Sequence, residues 1–394
     1  MDEPSQRDMT NDQHWLDLAR HWAIRPDTLY LNHGSFGPPP GPVRYARRNW
    51  IDALDEQPMD FYLRSIEPAL QKAREATASF CGTSWENLVF VENATFGMNV
   101  VADHFPLQPG DEVLLNNHEY GAVQRIWQRA CQRRGATLKT VDLPAEIESP
   151  EQVVQTVLAG VSPQTRLVVV SHVTSPTALI MPVAEICREL RQRGVASCVD
   201  GPHAPAQVDL QIDSLGCDFY TASCHKWLCG NLGSGFLTVA PHWHEVIEPQ
   251  IKSWGRLLPA MPEDWFDEFT WSGTRDPSCY LTVPTAIEFM ESVGLDQFRQ
   301  RSYWLADQAR QRLIAEFGGK TLADPGQGWY GCMAHVSLPA GDWTELQQQL
   351  WQSHRIEVPI IHFEDEWFVR VSCHLYNNQV QLDTLVKALW CEIR

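Results

Sequence analysis

Short apolar runs rich in β-formers alternate with helix-length amphipathic stretches from Glu86 to Ala240, and this alternation limits the fold more than any other feature of the chain. The runs lie at Leu88–Val91, Glu112–Asn116, Thr137–Leu143, Leu167–Val173, Val195–Val199, Phe219–Ala222 and Gly235–Val239. Between them, Val123, Ile126, Trp127, Ala130 and Cys131 recur at i, i+3, i+4, i+7 and i+8, which predicts a helix over Val123–Gly135. Val183, Ile186, Cys187 and Leu190 repeat that spacing, with Gly194 as the stop. Leu167–Val170 is apolar without alternation, as a strand covered on both faces must be. Strand–helix–strand units of this size predict an α/β fold, a mostly parallel seven-stranded sheet with helices on both sides. Such sheets bind ligands at the carboxyl ends of their strands, so the residues just after each run are the place to look.

The flanks read differently. Leu31–Pro42 is too rich in Pro and Gly for a helix or central strand, and a helix is predicted from Ser65 to Phe80, ending near Gly82. Beyond about residue 280, helices are predicted at Thr282–Ser292 and Leu295–Phe317, then a strand at Ala334–Leu338. A helix at Trp343–Ser353, a strand at Trp367–Ser372 and a last helix from about Gln381 follow. A chain of 394 residues exceeds twice the ~150 of a typical domain. The expected division is an N-terminal arm over 1–40, a large domain over 41–280 and a smaller C-terminal α+β domain over 281–394.

Charge and cysteine usage narrow the function classes. Acidic residues number 49 against 31 basic ones, a net charge of −18, which argues against nucleic acid or an anionic membrane as partner but leaves room for a local cationic pocket. The start is polar, no apolar run approaches the ~20 residues of a membrane helix, and the 11 cysteines contain no C-x-x-C pair. These features predict a cytoplasmic protein with reduced thiols. Cys217, Cys224, His225 and Cys229 lie close together without zinc spacing, so no metal is expected.

Five positions at strand ends carry polar chemistry. Asn93-Ala94-Thr95-Phe96-Gly97 opens a helix and suits either a phosphate or a simple helix cap. Asn117-His118-Glu119-Tyr120 offers a ring that covers a planar ligand or edges the core. Asp200, before Gly201-Pro-His203, is either a turn residue or a carboxylate awaiting a cationic partner. Lys226, in Ser223-Cys224-His225-Lys226-Trp227, is an amine nucleophile toward an aldehyde if it is held in a partly apolar pocket. Arg370, in an otherwise apolar strand, reads as a structural ion pair or as a fork for a substrate carboxylate. Gly230-x-x-Gly-x-Gly235 precedes a strand rather than opening a helix after one, so it is no dinucleotide loop, and no G-x-S-x-G elbow is present.

The stretch from Val199 to Leu237, with Asp200 and Lys226 spaced along it, resembles the core of class V aminotransferases, of pyridoxal-phosphate fold type I. LNHGSFG at 31–37, SHVTSPTA at 171–178, WSGTRDPS at 271–278, IEVP at 356–359 and RVSCHLYNN at 370–378 extend the likeness along nearly the whole chain. It is nearest the isopenicillin N epimerase-like branch. The resemblance implies that Lys226 forms the Schiff base with pyridoxal 5'-phosphate and, once freed by substrate, moves the α-proton. It implies that Asp200 pairs with the pyridine nitrogen, that His203 sits by the ring or its 3' oxygen, and that Tyr120, or else His118, stacks on the ring. Ser223, His225, Thr95 and the amides of Ala94 and Phe96 would hold the phosphate, with Gly273 and Thr274 supplied by the partner of a homodimer. Ser175 would stand near the cofactor oxygen, where desulfurases usually carry Asn. Arg370 would hold the substrate α-carboxylate, with Asn32 and His33 approaching from the arm.

The activity implied is an external aldimine with an amino acid followed by α-proton abstraction, as in amino-acid epimerases. The alternatives are a C–S lyase acting on a cysteine conjugate or sulfoxide, and an aminotransferase; a non-catalytic relative is disfavoured by the intact Lys226, Asp200 and Arg370. The interval from Glu357 to Val369 lacks the cysteine that desulfurases place before the substrate arginine, which argues against persulfide chemistry.

Overall fold

The computed structural model describes residues 7–256 and 261–393, so the outermost residues of the expected arm and C-terminal domain lie outside the described residues. In chain order the strands are β1 (Leu29–Tyr30), β2 (Leu88–Val91), β3 (Glu112–Asn116), β4 (Thr137–Val141), β5 (Thr165–Ser171) and β6 (Ala196–Asp200). They continue with β7 (Phe219–Ser223), β8 (Gly235–Val239), β9 (Met333–Ser337), β10 (Ile356–Glu357), β11 (Ile360–Phe363) and β12 (Glu366–Ser372). Seven form one sheet in the order β2-β8-β7-β6-β5-β3-β4. All its pairings are parallel except those of β8, which runs antiparallel to both β2 and β7.

Each face of this sheet is apolar because each is covered. Leu167, Val169, Cys198, Phe219 and Leu237 pack with Met98, Val123 and Trp127 on one side. Val168, Val170, Val199, Tyr220 and Phe236 pack with Val183, Ile186 and Leu190 on the other. The two-residue period of a strand therefore assigns alternate residues to different cores. At the carboxyl end the first face changes character: Ser171, Asp200 and Thr221, paired across β5, β6 and β7, replace its apolar residues with a polar row.

All seven predicted strands of the large sheet are present, with ends moved by one or two residues. Helices Ile66–Cys81, Val183–Gln192 and Leu295–Phe317 match their predicted spans closely. Helices Gly41–Glu56 and Pro150–Gly160, unanticipated from the sequence, begin at prolines tolerated in a first turn. A second sheet, β11-β12-β9, is antiparallel and places Arg370 opposite His335. The arm reaches this sheet through a two-residue parallel pairing of β1 with β10. Leu31 then donates its N–H to the Glu357 carbonyl (2.9 Å) and accepts from the Ser372 N–H (2.8 Å), which carries residues 32–37 to the edge of the large sheet.

Candidate active site

Lys226 follows β7, in the turn that returns the chain to β8. Its Nζ lies 2.8 Å from His203 Nε2, and His203 Nδ1 accepts from the Trp227 indole N–H at 3.3 Å. The indole therefore selects the imidazole tautomer: Nδ1 accepts, so Nε2 carries the proton and points it at Lys226. That arrangement requires an unprotonated amine. Burial, together with the nearby Arg370 charge, does lower the Lys226 ammonium to about 7, against a smaller opposing pull from Asp200. The lysine's backbone is fixed from the arm side. Gly37 donates to the His225 carbonyl (3.0 Å), and a Cβ on Gly37 would lie 2.7 Å from the Lys226 carbonyl oxygen.

Asp200 ends β6 and is 3% exposed. Burial, and then the neighbouring Glu119 carboxyl, push its pKa well above the usual carboxylate range. Its carboxylate receives no hydrogen bond among the described residues, so it is held ready for a donor that the protein does not supply. Ser223 Oγ accepts from the Ala94 N–H (3.1 Å), and Asn93 caps the same helix by accepting from Phe96 (3.0 Å). The amides of Ala94 and Phe96, expected to be open to phosphate, are thus already engaged. The exposed Thr95 brings the one amide of that turn without a partner among the described residues. His225 adds a buried Nδ1 with no partner, its pKa lowered to about 4 by burial and the Lys226 charge.

Arg370 lies on β12, is 4% exposed, and has no acidic partner among the described residues. Its guanidinium donates to the carbonyl and hydroxyl of Ser175 and, at 3.0 Å, to Ser35 Oγ, while Nε is buried and unpaired. Burial lowers its pKa to about 10, partly offset by Tyr120. A buried cation without a counter-ion is costly unless a ligand brings the anion.

Ser175, expected beside the cofactor oxygen, is bonded to Arg370. His33, expected to reach substrate, is fully buried behind the lysine; Nδ1 meets Tyr376 Oη (2.9 Å) and Nε2 meets the Lys226 carbonyl (3.0 Å). Asn32 is bridged to Ser372 through its backbone and keeps a buried, unpaired Oδ1. His118 spends Nδ1 on Thr177 Oγ1 (2.8 Å) and packs against Phe363, whereas Tyr120 is 46% exposed and its hydroxyl makes no hydrogen bond among the described residues. Gly273 and Thr274 lie at the surface of the single chain, with open space around Gly273.

Cys217, Cys224, His225 and Cys229 do not assemble, and all eleven cysteines are free thiols. One trio, His33, Cys229 and His374, brings its ligand atoms within 4.8 Å. Its imidazoles stack at 4.0 Å and 20°, and His33 Nε2 and His374 Nε2 lie 3.8 Å and 3.4 Å from Cys229 Sγ. Sequence reasoning missed Ser35, Glu119 and Ser171. All three stood inside the motifs given above, but their partners are distant in sequence.

Sheet order and site together define the fold type I enzymes that work with pyridoxal phosphate. A family model described as aminotransferase class-V matches residues 62–385. An isopenicillin N epimerase of Amycolatopsis lactamdurans is 36% identical over 389 residues, covering 95% of this chain and 98% of that protein. A putative L-cysteine desulfhydrase 1 of Oryza sativa subsp. japonica is 29% identical over 84% of this chain and 73% of its own length. Among solved structures, a C-DES mutant with glycine covalently linked to its PLP cofactor superposes with a TM-score of 0.82 at 20% identity, covering 96% of this chain and 99% of that one. The chain belongs to the class V aminotransferase family and is, with that family, a pyridoxal-phosphate-dependent enzyme. No helix among the described residues is long and apolar enough to cross a membrane.

Proposed function

We propose that this enzyme is an amino-acid epimerase, with Lys226 carrying the cofactor and Arg370 holding the substrate carboxylate. The single observation behind the reading is the buried Arg370 guanidinium, which has no acid of its own among the described residues and shares a site with an amine depressed to about 7. An amino acid has the complementary pair, a carboxylate and an amine. Bound pyridoxal phosphate supplies an aldehyde for that amine and an electron sink that labilises the α-proton.

The residues divide the work. Asp200 accepts from the ring nitrogen and keeps it protonated. Thr95, Ser223 and His225 surround the phosphate, completed by Gly273 and Thr274 of a second copy in a homodimer. Lys226 Nζ takes the α-proton on one face. Reprotonation on the other face needs a second acid, and Tyr120 supports that role: it lies close enough to Arg370 to influence its pKa, and its hydroxyl is uncommitted. Residues 41–280 serve as the cofactor domain, 281–394 as the smaller domain carrying Arg370, and 1–40 as the arm. The free thiols support a reducing, cytoplasmic setting.

The second reading is a C–S lyase, favoured by the desulfhydrase relative, since loss of a β-substituent needs the same lysine but no acid opposite it. The two readings separate in D2O. The holoenzyme is incubated with isopenicillin N, a panel of L-amino acids and cysteine S-conjugates, and products are followed by mass and chirality. Deuterium at the α-carbon, an intact skeleton and mixed chirality support the epimerase. A keto acid, ammonia and a lost β-substituent replace it with the lyase.

A further inference from the structure

Glu119 is a buried acid with one oxygen satisfied and the other left bare. It is 2% exposed; Oε1 accepts from the Tyr120 N–H (2.8 Å) and from Ser171 Oγ (2.6 Å), and Oε2 is buried with no partner among the described residues. Ser171 stands beside Asp200 in the register of β5 on β6, and both continue the same face of the sheet. Cys198, two residues before Asp200 on that face, is raised chiefly by burial and then by the carboxyls of Asp200 and Glu119. The charged groups that face them are Lys226 on Asp200 and, beyond it, Arg370 on Lys226.

Two ionised carboxylates in one buried spot repel, and an anionic Glu119 would leave Oε2 unsolvated and unbonded. One proton resolves both problems if it sits on Oε2, the oxygen with no donor, and is given to an oxygen of Asp200, which receives no other bond. We propose that Glu119 is a positioning residue: a neutral carboxylic acid that donates a hydrogen bond to Asp200, aims that carboxylate at the cofactor's ring nitrogen and keeps it ionised. This rests on the reading of Asp200 as the partner of the ring nitrogen. Its chemical signature is that a neutral amide can replace Glu119, because the Gln Nε2–H donates where the acid did and its oxygen still accepts from Tyr120 and Ser171.

The test compares wild-type, Glu119→Gln and Glu119→Ala proteins reconstituted with pyridoxal 5'-phosphate. Two quantities are read: the pH midpoint of the bound cofactor's visible absorbance and the dissociation constant of the cofactor. The expected result is that Glu119→Gln keeps the wild-type midpoint within ~0.3 of a pH unit and cofactor affinity within ~3-fold, while Glu119→Ala moves the midpoint and weakens retention ~10-fold. A midpoint that falls by about a unit in Glu119→Gln overturns the proposal, because it reveals an anionic Glu119 whose charge had been favouring protonation. Wild-type behaviour in Glu119→Ala, or equal losses in both variants, overturns it as well. Thermal unfolding of the apo variants separates a folding defect, which moves Tm without moving the midpoint of the molecules that still bind. Failure of the underlying reading has a different mark: wild-type affinity and absorbance in Asp200→Asn.

Discussion

At the scale of single residues, the site is governed by groups whose ordinary partners have been withheld. Lys226 is lowered to about 7 mainly by burial, from an ordinary value of 10.5. Its free amine is the reactive form, so cofactor capture by the apo protein is expected to slow about tenfold per unit only below about pH 7, where a surface lysine fails several units higher. Borohydride trapping over a pH series measures this, and Lys226→Ala should yield no adduct; an adduct on another lysine removes the assignment. The sign for stability follows. Between about 7 and 10.5 the unfolded chain binds the proton that the folded chain does not, so the penalty from this group is full below about 7 and eases as pH rises through that window. Arg370→Ala should weaken amino-acid binding at least ~10-fold in a titration while the bound cofactor keeps its absorbance, since a charge-assisted bidentate pair is lost and nothing at Lys226 moves. Loss of colour instead would make Arg370 structural. Lys226, Asp200 and Arg370 stand out in the sequence because they sit in polar breaks of apolar runs. Glu119 and Ser35 were not, because their significance rests on contacts with Ser171 and Arg370, which lie 52 and 335 residues away.

At the scale of elements, the proposed phosphate end depends on how closely one helix approaches the sheet. Helix Ala94–His104 begins against β7 and β8, and a Cβ on Gly97 would lie 2.2 Å from Thr221 Oγ1, the hydroxyl that donates to the Ala94 carbonyl (3.1 Å). Gly97→Ala is therefore expected to lower Tm and cofactor affinity together, by pushing the helix start off the sheet. Pairing it with Thr221→Ala should recover part of both losses, because the obstructing hydroxyl is gone. Calorimetry on the single and double variants checks this; strictly additive losses count against the approach argument. Central strands of the large sheet such as β5 were readable from sequence since burial on both faces demands a run of apolar residues, whereas the edge strand β4 is partly exposed and carries Thr and Lys. Strands β1 and β10, two residues each, have no period to read. Helix Gly41–Glu56 hid behind the Pro-rich loop that precedes it: Gly41 and Pro42 were assigned to the loop although they form its first turn.

At the scale of the whole molecule, Gly273 is half-buried and Thr274 exposed in a single chain, although the family resemblance gives them to the phosphate site of a second copy. Thr274→Ala should then loosen cofactor retention several-fold in the dimer, with sedimentation reporting the assembly and equilibrium dialysis the affinity. Unchanged retention removes the shared-site reading. A wider consequence follows from the pairing of β1 with β10 and the bond from Arg370 to Ser35. The proposed carboxylate grip, Arg370 with Ser35, joins parts of the chain 335 positions apart, whereas Lys226, His203 and Asp200 lie within 26 positions of one another. Closing so long a loop is slow. A refolding enzyme should therefore turn yellow before it can hold an amino acid, and the delay between colour and binding times the arrival of the arm.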